Sequence, residues 1–374
     1  MQITTTKEFL ASPLSLVAGA ADTRGTIPML GTVLLKTLSS GKLSMLCSDA
    51  GMLARTLSSC EVKKDGEIAV DIRRFETLIR AIPEKQAIEI SVEDKGTLLV
   101  KSGRSRFRLP THAAASYPRM ISGKEDRLSF TMTARRLANI IADVSPSMPD
   151  ADPRHFLNGA LFSLDKAGLW VVSTDGHRLS ISHESIVGAD TLTPHNVIVP
   201  RKTVLLAKKL LGQSGNITLT LGAQDIQFNF EDGTVLLGKA VDGKYPNWRG
   251  VIPSTTERVT VSAVRLSNAL AMIAAIPADK EKQEAMKNKV EIHFTKTTTT
   301  LRRGESGVCE MESQSSSDAP LDLAFNIDYL VDAVSIVGTS SADVVIGYSA
   351  TATAITMQPK DKEYPLAVVM PLRV

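Results

Sequence analysis

Residues 173–180, Ser-Thr-Asp-Gly-His-Arg-Leu-Ser, bring a carboxylate, an imidazole, a guanidinium and hydroxyl groups into one short stretch. Ser173, Asp175 and His177 are the residue types of a nucleophile, an orienting acid and a general base, the set used in acyl transfer. That chemistry needs the hydroxyl within about 3 Å of the imidazole and a third group to hold the ring. The Asp-Gly pair between alternating β-branched residues predicts a tight type I′ hairpin, with Gly176 supplying positive φ. On such a hairpin Ser173 and His177 lie on opposing strands and Asp175 sits in the turn, a poor geometry for a triad. The chain carries no G-x-S-x-G elbow, no H-E-x-x-H helix and no phosphate-binding Gly-rich loop. The expectation is a protein with no catalytic residues, no cofactor and no metal site. Cys47, Cys60 and Cys309 form no Cys-x-x-Cys pair and are odd in number, so they read as thiols, neither a disulfide framework nor zinc ligands.

The elements that must hold this stretch repeat along the chain. Tyr-Pro recurs at Tyr117-Pro118, Tyr245-Pro246 and Tyr364-Pro365, at intervals the size of a small domain. Before each pair comes a helix with one apolar stripe: Leu10, Pro13, Leu14 and Val17, then Leu137, Ile140, Ile141 and Val144, then Leu266, Ala269, Leu270 and Ile273. A strand and hairpin follow, SMLCSDAGMLARTLSS, WVVSTDGHRLSISHES and TLRRGESGVCEMES. A second helix carries Phe75, Leu78, Ile79 and Ile82 in the first repeat and Ile327, Leu330, Val331 and Val334 in the third. Further strands close each repeat, as in NITLTLGAQDIQFNFEDGTVLLGKAV. Each repeat therefore reads as β-α-β-β-β doubled, two helices on antiparallel sheet, an α+β fold. The polar stretches 121–127 and 253–258 mark the joins, giving domains 1–122, 123–254 and 255–374.

A chain of 374 residues with 43% hydrophobic content can bury a core in each of two or three domains. No apolar run is long enough to span a bilayer, and MQITTTKEFL lacks the order of a secretion signal, so a cytoplasmic protein is expected. The net charge of +3 decides little, but the placement of charge does more. Arg73 and Arg80 are seven apart, share a helix face, and lie opposite Phe75. In PRKTVLLAKKLLG, Arg201 pairs with Lys208 and Lys202 with Lys209 at the same spacing. The third repeat has Asp328 and Ser335 at corresponding positions, so an anion-facing surface would be uneven. Such stripes meet phosphates without reading bases, and no base-reading motif is present.

Seven ordered segments, IPMLGTVLL, SGRSRF, HFLNGALF, STDGHRL, VIVPRK, VDGKYPNWRGVIP and YPLAVVMPLRV, resemble the bacterial DNA polymerase III beta subunit, the sliding-clamp family, along essentially the whole chain. The resemblance implies a DNA clamp fold: a head-to-tail homodimeric ring of six similar domains, helices lining a central hole. It implies a processivity factor that encircles duplex DNA and tethers the polymerase. DNA-facing residues would be Arg24, Arg73, Arg80, Arg154, His155, Phe156, Arg201, Lys202 and Lys209, with His155-Phe156 where many relatives carry an aromatic pair. A partner pocket would be formed by Leu157, Thr174, Gly176, His177, Arg178, Leu179, Pro246, Val251, Val368, Met370, Pro371 and Leu372. It would take a short linear motif from the polymerase III alpha subunit, the clamp-loader delta subunit, other polymerases and repair proteins. At the subunit interface, Arg104 and Arg106 would meet Glu310 and Glu312 of the next protomer while Phe107, Leu109 and Ile276 pack. The charged segment 279–289 lies near that expected interface. The rival readings are a non-encircling nucleic-acid-binding scaffold and a hydrolase built on the His177 hairpin.

Overall fold

A computed structural model of the chain describes residues 1–93, 96–118, 120, 123, 127–191, 193–212, 215–276, 288–349 and 354–372. Most of the charged segment 279–289 and of the polar stretch 121–127 lies outside the described residues.

Among the described residues one pattern occurs six times in chain order, a strand, a helix and then three strands, with one additional strand, Glu61–Lys64, after the first copy. Among the described residues the α-helices are α1 (Lys7–Ala18), α2 (Ile72–Ala81), α3 (Ala134–Val144), α4 (Arg201–Leu210), α5 (Ala263–Ala274) and α6 (Ile327–Gly338). Two copies fall in each third of the chain, which is the doubled β-α-β-β-β repeat expected from the sequence. Most stripe residues are buried as their spacing predicts, Leu10, Leu14 and Val17 on α1, Phe75 and Ile79 on α2, Leu266, Leu270 and Ile273 on α5; Val331 of the expected α6 stripe is exposed, and Ile82 lies just past the end of α2. Pro13 inside α1 removes one helical donor and leaves the Phe9 carbonyl open. The Ser58 hydroxyl donates to that carbonyl, so the helix continues past its proline.

By contacts the chain divides into two compact units, residues 1–137 with 205–240, and residues 138–204 with 241–374. The first contains one antiparallel sheet of 13 strands, the second one of 12. The central third of the chain contributes four strands to each sheet. In the first unit α1 and α2 pack on each other, and Asp71 caps α2 by accepting from the Arg74 N–H at 2.8 Å. In the second, α5 and α6 pack together over a core that includes Leu266, Ile273, Phe325, Leu330 and Val337. A separate apolar cluster in that unit gathers Leu157, Leu179, Tyr245, Trp248 and Val368 around the hairpin at residues 173–180.

Candidate functional site

The strands Gly168–Thr174 and Arg178–Glu184 pair antiparallel, and Asp175-Gly176-His177 lie between their ends; the last pair is Thr174 with Leu179. This corrects the two-residue type I′ turn that Asp-Gly predicts. Of the turn residues Gly176 alone has positive φ, at 91°, whereas a type I′ turn needs two in succession. The Asp175 side chain is the cause. Its Oδ1 accepts from the N–H groups of His177 at 2.9 Å and Arg178 at 3.0 Å, an Asx turn that satisfies both donors. Thr174 Oγ1 completes it, donating to the Arg178 carbonyl at 2.6 Å and accepting from the Gly176 N–H at 3.1 Å. Ser173 is buried, and its hydroxyl donates to the Val144 carbonyl at 2.5 Å. His177 is exposed in the turn itself, not on the opposing strand, and stacks at 6.2 Å on Tyr329. The three residues that resemble a triad are thus a buried strand hydroxyl, a turn-forming carboxylate and an exposed ring.

Beside the turn lies a groove of about 200 Å³ within the second unit. Its floor is apolar and buried, made by Leu157, Leu179, Trp248, Ala354 and Val368. Pairing of Leu179 with Val368 brings the hairpin and the strand Leu366–Val369 together, and the Met370 N–H donates to the His177 carbonyl at 3.0 Å. Val251 and Met370, 57% and 47% exposed, stand at the rim with Pro246. Thr174, Gly176, His177 and Arg178 also line it, so ten of the twelve residues expected in a partner pocket meet here. Pro371 and Leu372 do not line it; the Leu372 N–H donates to the Ala324 carbonyl at 2.7 Å, past the groove. Trp248, between the expected Pro246 and Val251, and Ala354 line it without having been expected. The pairing of Trp248 with Tyr245-Pro246 in YPNWRG was the available signal, as the chain has only two tryptophans.

The polar groups at the rim are tied down. The Arg178 guanidinium bonds Asp175 at 3.0 Å, bonds Asp332 as well, and lies 4.5 Å over the Tyr329 ring. Burial raises the Tyr329 hydroxyl pKa, as it does that of Tyr245 under the groove. Arg154, grouped by resemblance with the DNA-facing residues, also lines the groove. Its guanidinium donates to Asp152 at 2.9 Å and to the Asp175 carbonyl at 3.1 Å. That hydrogen-bonded cation holds the Asp152 carboxyl down to about 2. Among the described residues no group of three or more His, Cys, Asp or Glu side chains is placed to hold a metal ion.

The other expected DNA-facing residues fall in two places. In the first unit, Arg73 donates to Thr23 Oγ1 at 2.6 Å beside exposed Arg24. Arg80 donates to Ser15 Oγ at 3.1 Å, and Lys209 to the Ser15 carbonyl at 3.0 Å. One helix pair thus gathers four cations, of which Arg80 is also paired with Glu76. In the second unit Arg201 is half-buried, bonded to Asp150 at 2.8 Å and to the Met148 carbonyl, while Lys202 is exposed on α4. His155 is exposed and meets Phe156 edge-on at 6.0 Å; Phe156 itself packs against the apolar cluster.

The expected interface residues lie on two sheet edges. The strand Ser105–His112 pairs along its length with Thr97–Ser102, but on its other side only at Thr111 and His112, which leaves the edge of 105–110 open among the described residues. Arg104, Arg106 and Phe107 are exposed there, and Leu109 is half-exposed. The strand Gly307–Ser315 is likewise open over 307–312 among the described residues, exposing Val308, Glu310 and Glu312. Glu312 pairs with Arg265 of its own chain at 2.8 Å, and Ile276 packs beneath Gly307.

Comparison with known proteins gives this arrangement a family. Two family models match, the DNA polymerase III beta subunit N-terminal domain over residues 1–121 and its central domain over 131–247. The chain belongs to the DNA polymerase III beta-subunit family. The beta sliding clamp of Pseudomonas aeruginosa is 30% identical over the full length of both chains, and that of Escherichia coli K12 is 29% identical over the full length of both. The crystal structure of the P. aeruginosa subunit superposes with a TM-score of 0.90 at 28% identity, all of both chains covered. A P. aeruginosa sliding clamp bound to griselimycin gives 0.91 at 29%, again over both whole chains. The Bacillus subtilis clamp, only 18% identical, shares the fold at 0.90 over 100% of this chain and 99% of its own. The repeated α+β fold and the function of a DNA sliding clamp for the polymerase, both implied by the seven segments, are those of the family, and neither rival reading is favoured.

Proposed function

We propose that two copies of the chain close head to tail into a ring of six domains, with boundaries at 1–122, 123–254 and 255–374, that encircles duplex DNA and tethers its partners without catalysing a reaction. The observation that carries this reading is the sixfold strand-helix-three-strand repeat, matched along the whole chain to beta sliding clamps. Closure is supported by the two open edges, since an uncovered edge tends to pair and these carry opposite charge, Arg104 and Arg106 against Glu310 and Glu312. Exposed ion pairs contribute roughly 0–1 kcal/mol each, so apolar contact through Phe107, Leu109 and Val308 would supply most of the closing energy and charge would set register.

Arg24, Arg73, Arg80, Arg154, Arg201, Lys202 and Lys209 would face phosphates, with His155 and Phe156 nearby. Contact of this kind is weak, independent of sequence and steeply salt-dependent. Topology would retain the ring. The groove would take a short motif such as Gln-Leu-x-Leu-Phe, its apolar residues over Leu157, Leu179, Trp248 and Val368, from the polymerase III alpha subunit, the clamp-loader delta subunit, other polymerases and repair proteins. Among the described residues no helix is long and apolar enough to cross a membrane, and the proposed setting is the cytoplasm.

The test is retention on DNA. Loaded on a nicked circle, the protein should survive high salt and be released when the circle is cut. Retention on the linear product would overturn encirclement. Arg73→Ala with Lys202→Ala should lower loading and leave a particle of about twice 40.2 kDa in light scattering.

A further inference from the structure

The groove wall at Trp248 has a layer behind it that no groove-lining residue accounts for. Trp170 lies 5.5 Å from Trp248, ring centre to ring centre. The Arg249 guanidinium covers both rings, 4.1 Å from the centre of Trp248 and 5.2 Å from that of Trp170. One carboxylate joins the set: Asp165 Oδ2 accepts from Arg249 at 2.9 Å and Asp165 Oδ1 from the Trp170 indole N–H at 3.0 Å. Beyond Trp170 stand His183 at 4.1 Å and Tyr364, edge-on, at 5.1 Å.

We propose that Arg249 is a positioning residue for the groove: stacked on Trp248 and tied through Asp165 to Trp170, it fixes the angle of the ring that forms the groove wall. The proposal rests on reading the groove as the motif site. Arg249 is 51% exposed and Asp165 31%, so their ion pair adds little to stability, and its consequence is orientation. Arginine suits the position because a planar guanidinium can stack flat on a ring while its edge donates to a carboxylate, which a lysine ammonium cannot do at once.

The chain's only tryptophans are the two rings concerned, so their emission reports on this layer alone. The experiment titrates Gln-Leu-Ser-Leu-Phe, which has neither Trp nor Tyr, into the full chain. Tryptophan emission is followed, and affinity is read by anisotropy of a labelled copy. Wild type should bind with a change in emission. Arg249→Ala should bind about fivefold to tenfold more weakly, with an altered emission spectrum before peptide is added. Arg249→Lys should recover only part of the affinity, and Asp165→Asn should lose about twofold to threefold. Binding by Arg249→Ala within twofold of wild type would overturn the proposal while leaving the groove reading intact. Absence of binding by wild type would overturn both. If Arg249→Ala does not fold, wild-type affinity and emission in both Arg249→Lys and Asp165→Asn would overturn it instead.

Discussion

The hairpin at Asp175 has a counterpart at Asp49 in the first unit, and the two turns match bond for bond. Asp49 Oδ1 accepts from the N–H groups of Gly51 at 2.9 Å and Met52 at 2.7 Å, as Asp175 does from His177 and Arg178. Ser48 Oγ accepts from the Ala50 N–H and donates to the Met52 carbonyl, the part Thr174 plays in the other turn. Both turns place one residue at positive φ, Ala50 at 70° and Gly176 at 91°. The surroundings differ. Over Gly176 lies the Arg154 guanidinium, and beside the turn stand Tyr329 and Met370. Turn chemistry is a local device that the repeat preserves, and what gives one copy a groove beside it is what the rest of the chain stacks on it.

Removing those neighbours while sparing the turn should have the largest effect. A chain lacking residues 370–374 loses Met370 and its bond to the His177 carbonyl. Its peptide affinity should fall beyond detection, a drop of at least about 30-fold on the scale of a binding hot spot, in anisotropy with labelled Gln-Leu-Ser-Leu-Phe, while light scattering still finds a dimer. Retained affinity would move the motif site elsewhere.

Exchanging the two turn residues sharpens the comparison. In Gly176→Ala the new Cβ would meet the Arg154 guanidinium at 3.1 Å in a left-handed backbone, which costs about 1–2 kcal/mol and should weaken peptide about fivefold. Ala50→Gly relieves the same conformation and should stabilise by up to about 1 kcal/mol in thermal unfolding, with peptide affinity unchanged. Equal effects of the two substitutions on peptide binding would remove the distinction drawn between the turns.

The smallest effect concerns protons. Asp152 titrates near 2 in the folded chain because Arg154 bonds its charged form, well below the roughly 3.9 of a free aspartate. A depressed folded value means that its contribution is complete above about pH 4 and is lost as pH falls toward 2. Carboxyl-carbon NMR should therefore show no titration of Asp152 between pH 7 and 4, and Arg154→Ala should return its midpoint to the ordinary range. A wild-type midpoint near 4 would mean that Arg154 does not rest where it covers Gly176.

The repeat and its helices were legible because a buried face imposes a period of 3.6, and Leu137, Ile140, Ile141 and Val144 all follow it and are all buried. The turn type was not, since Asp-Gly reads as type I′ until the Asp175 carboxylate takes the two donors that follow it. Of the groove, the residues on the hairpin, on the terminal strand and at Pro246 and Val251 were found through resemblance; Trp248 was signalled only by its place beside Tyr245-Pro246, and Ala354 arrives by a convergence that no local pattern encodes. Arg154 shows the same limit: PRHF announces a cation, but which surface it serves depends on Asp152 and the Asp175 carbonyl, contacts made only after folding.

The strand Leu366–Val369 is bonded on one side to Arg178–Ile181 and on the other to Ile355–Met357, so one groove wall is an interior strand of a continuous sheet. A strand bonded on both sides opens only with the sheet around it, so this wall should be in place before a peptide arrives. If the groove takes motifs as proposed, they would meet a finished surface, the ordering entropy would fall on the flexible peptide, and arrival rates should differ little from one partner to the next. Which partner would hold the proposed site at a given moment would be decided by how long each stays, and a newcomer would displace an occupant by waiting for it to leave.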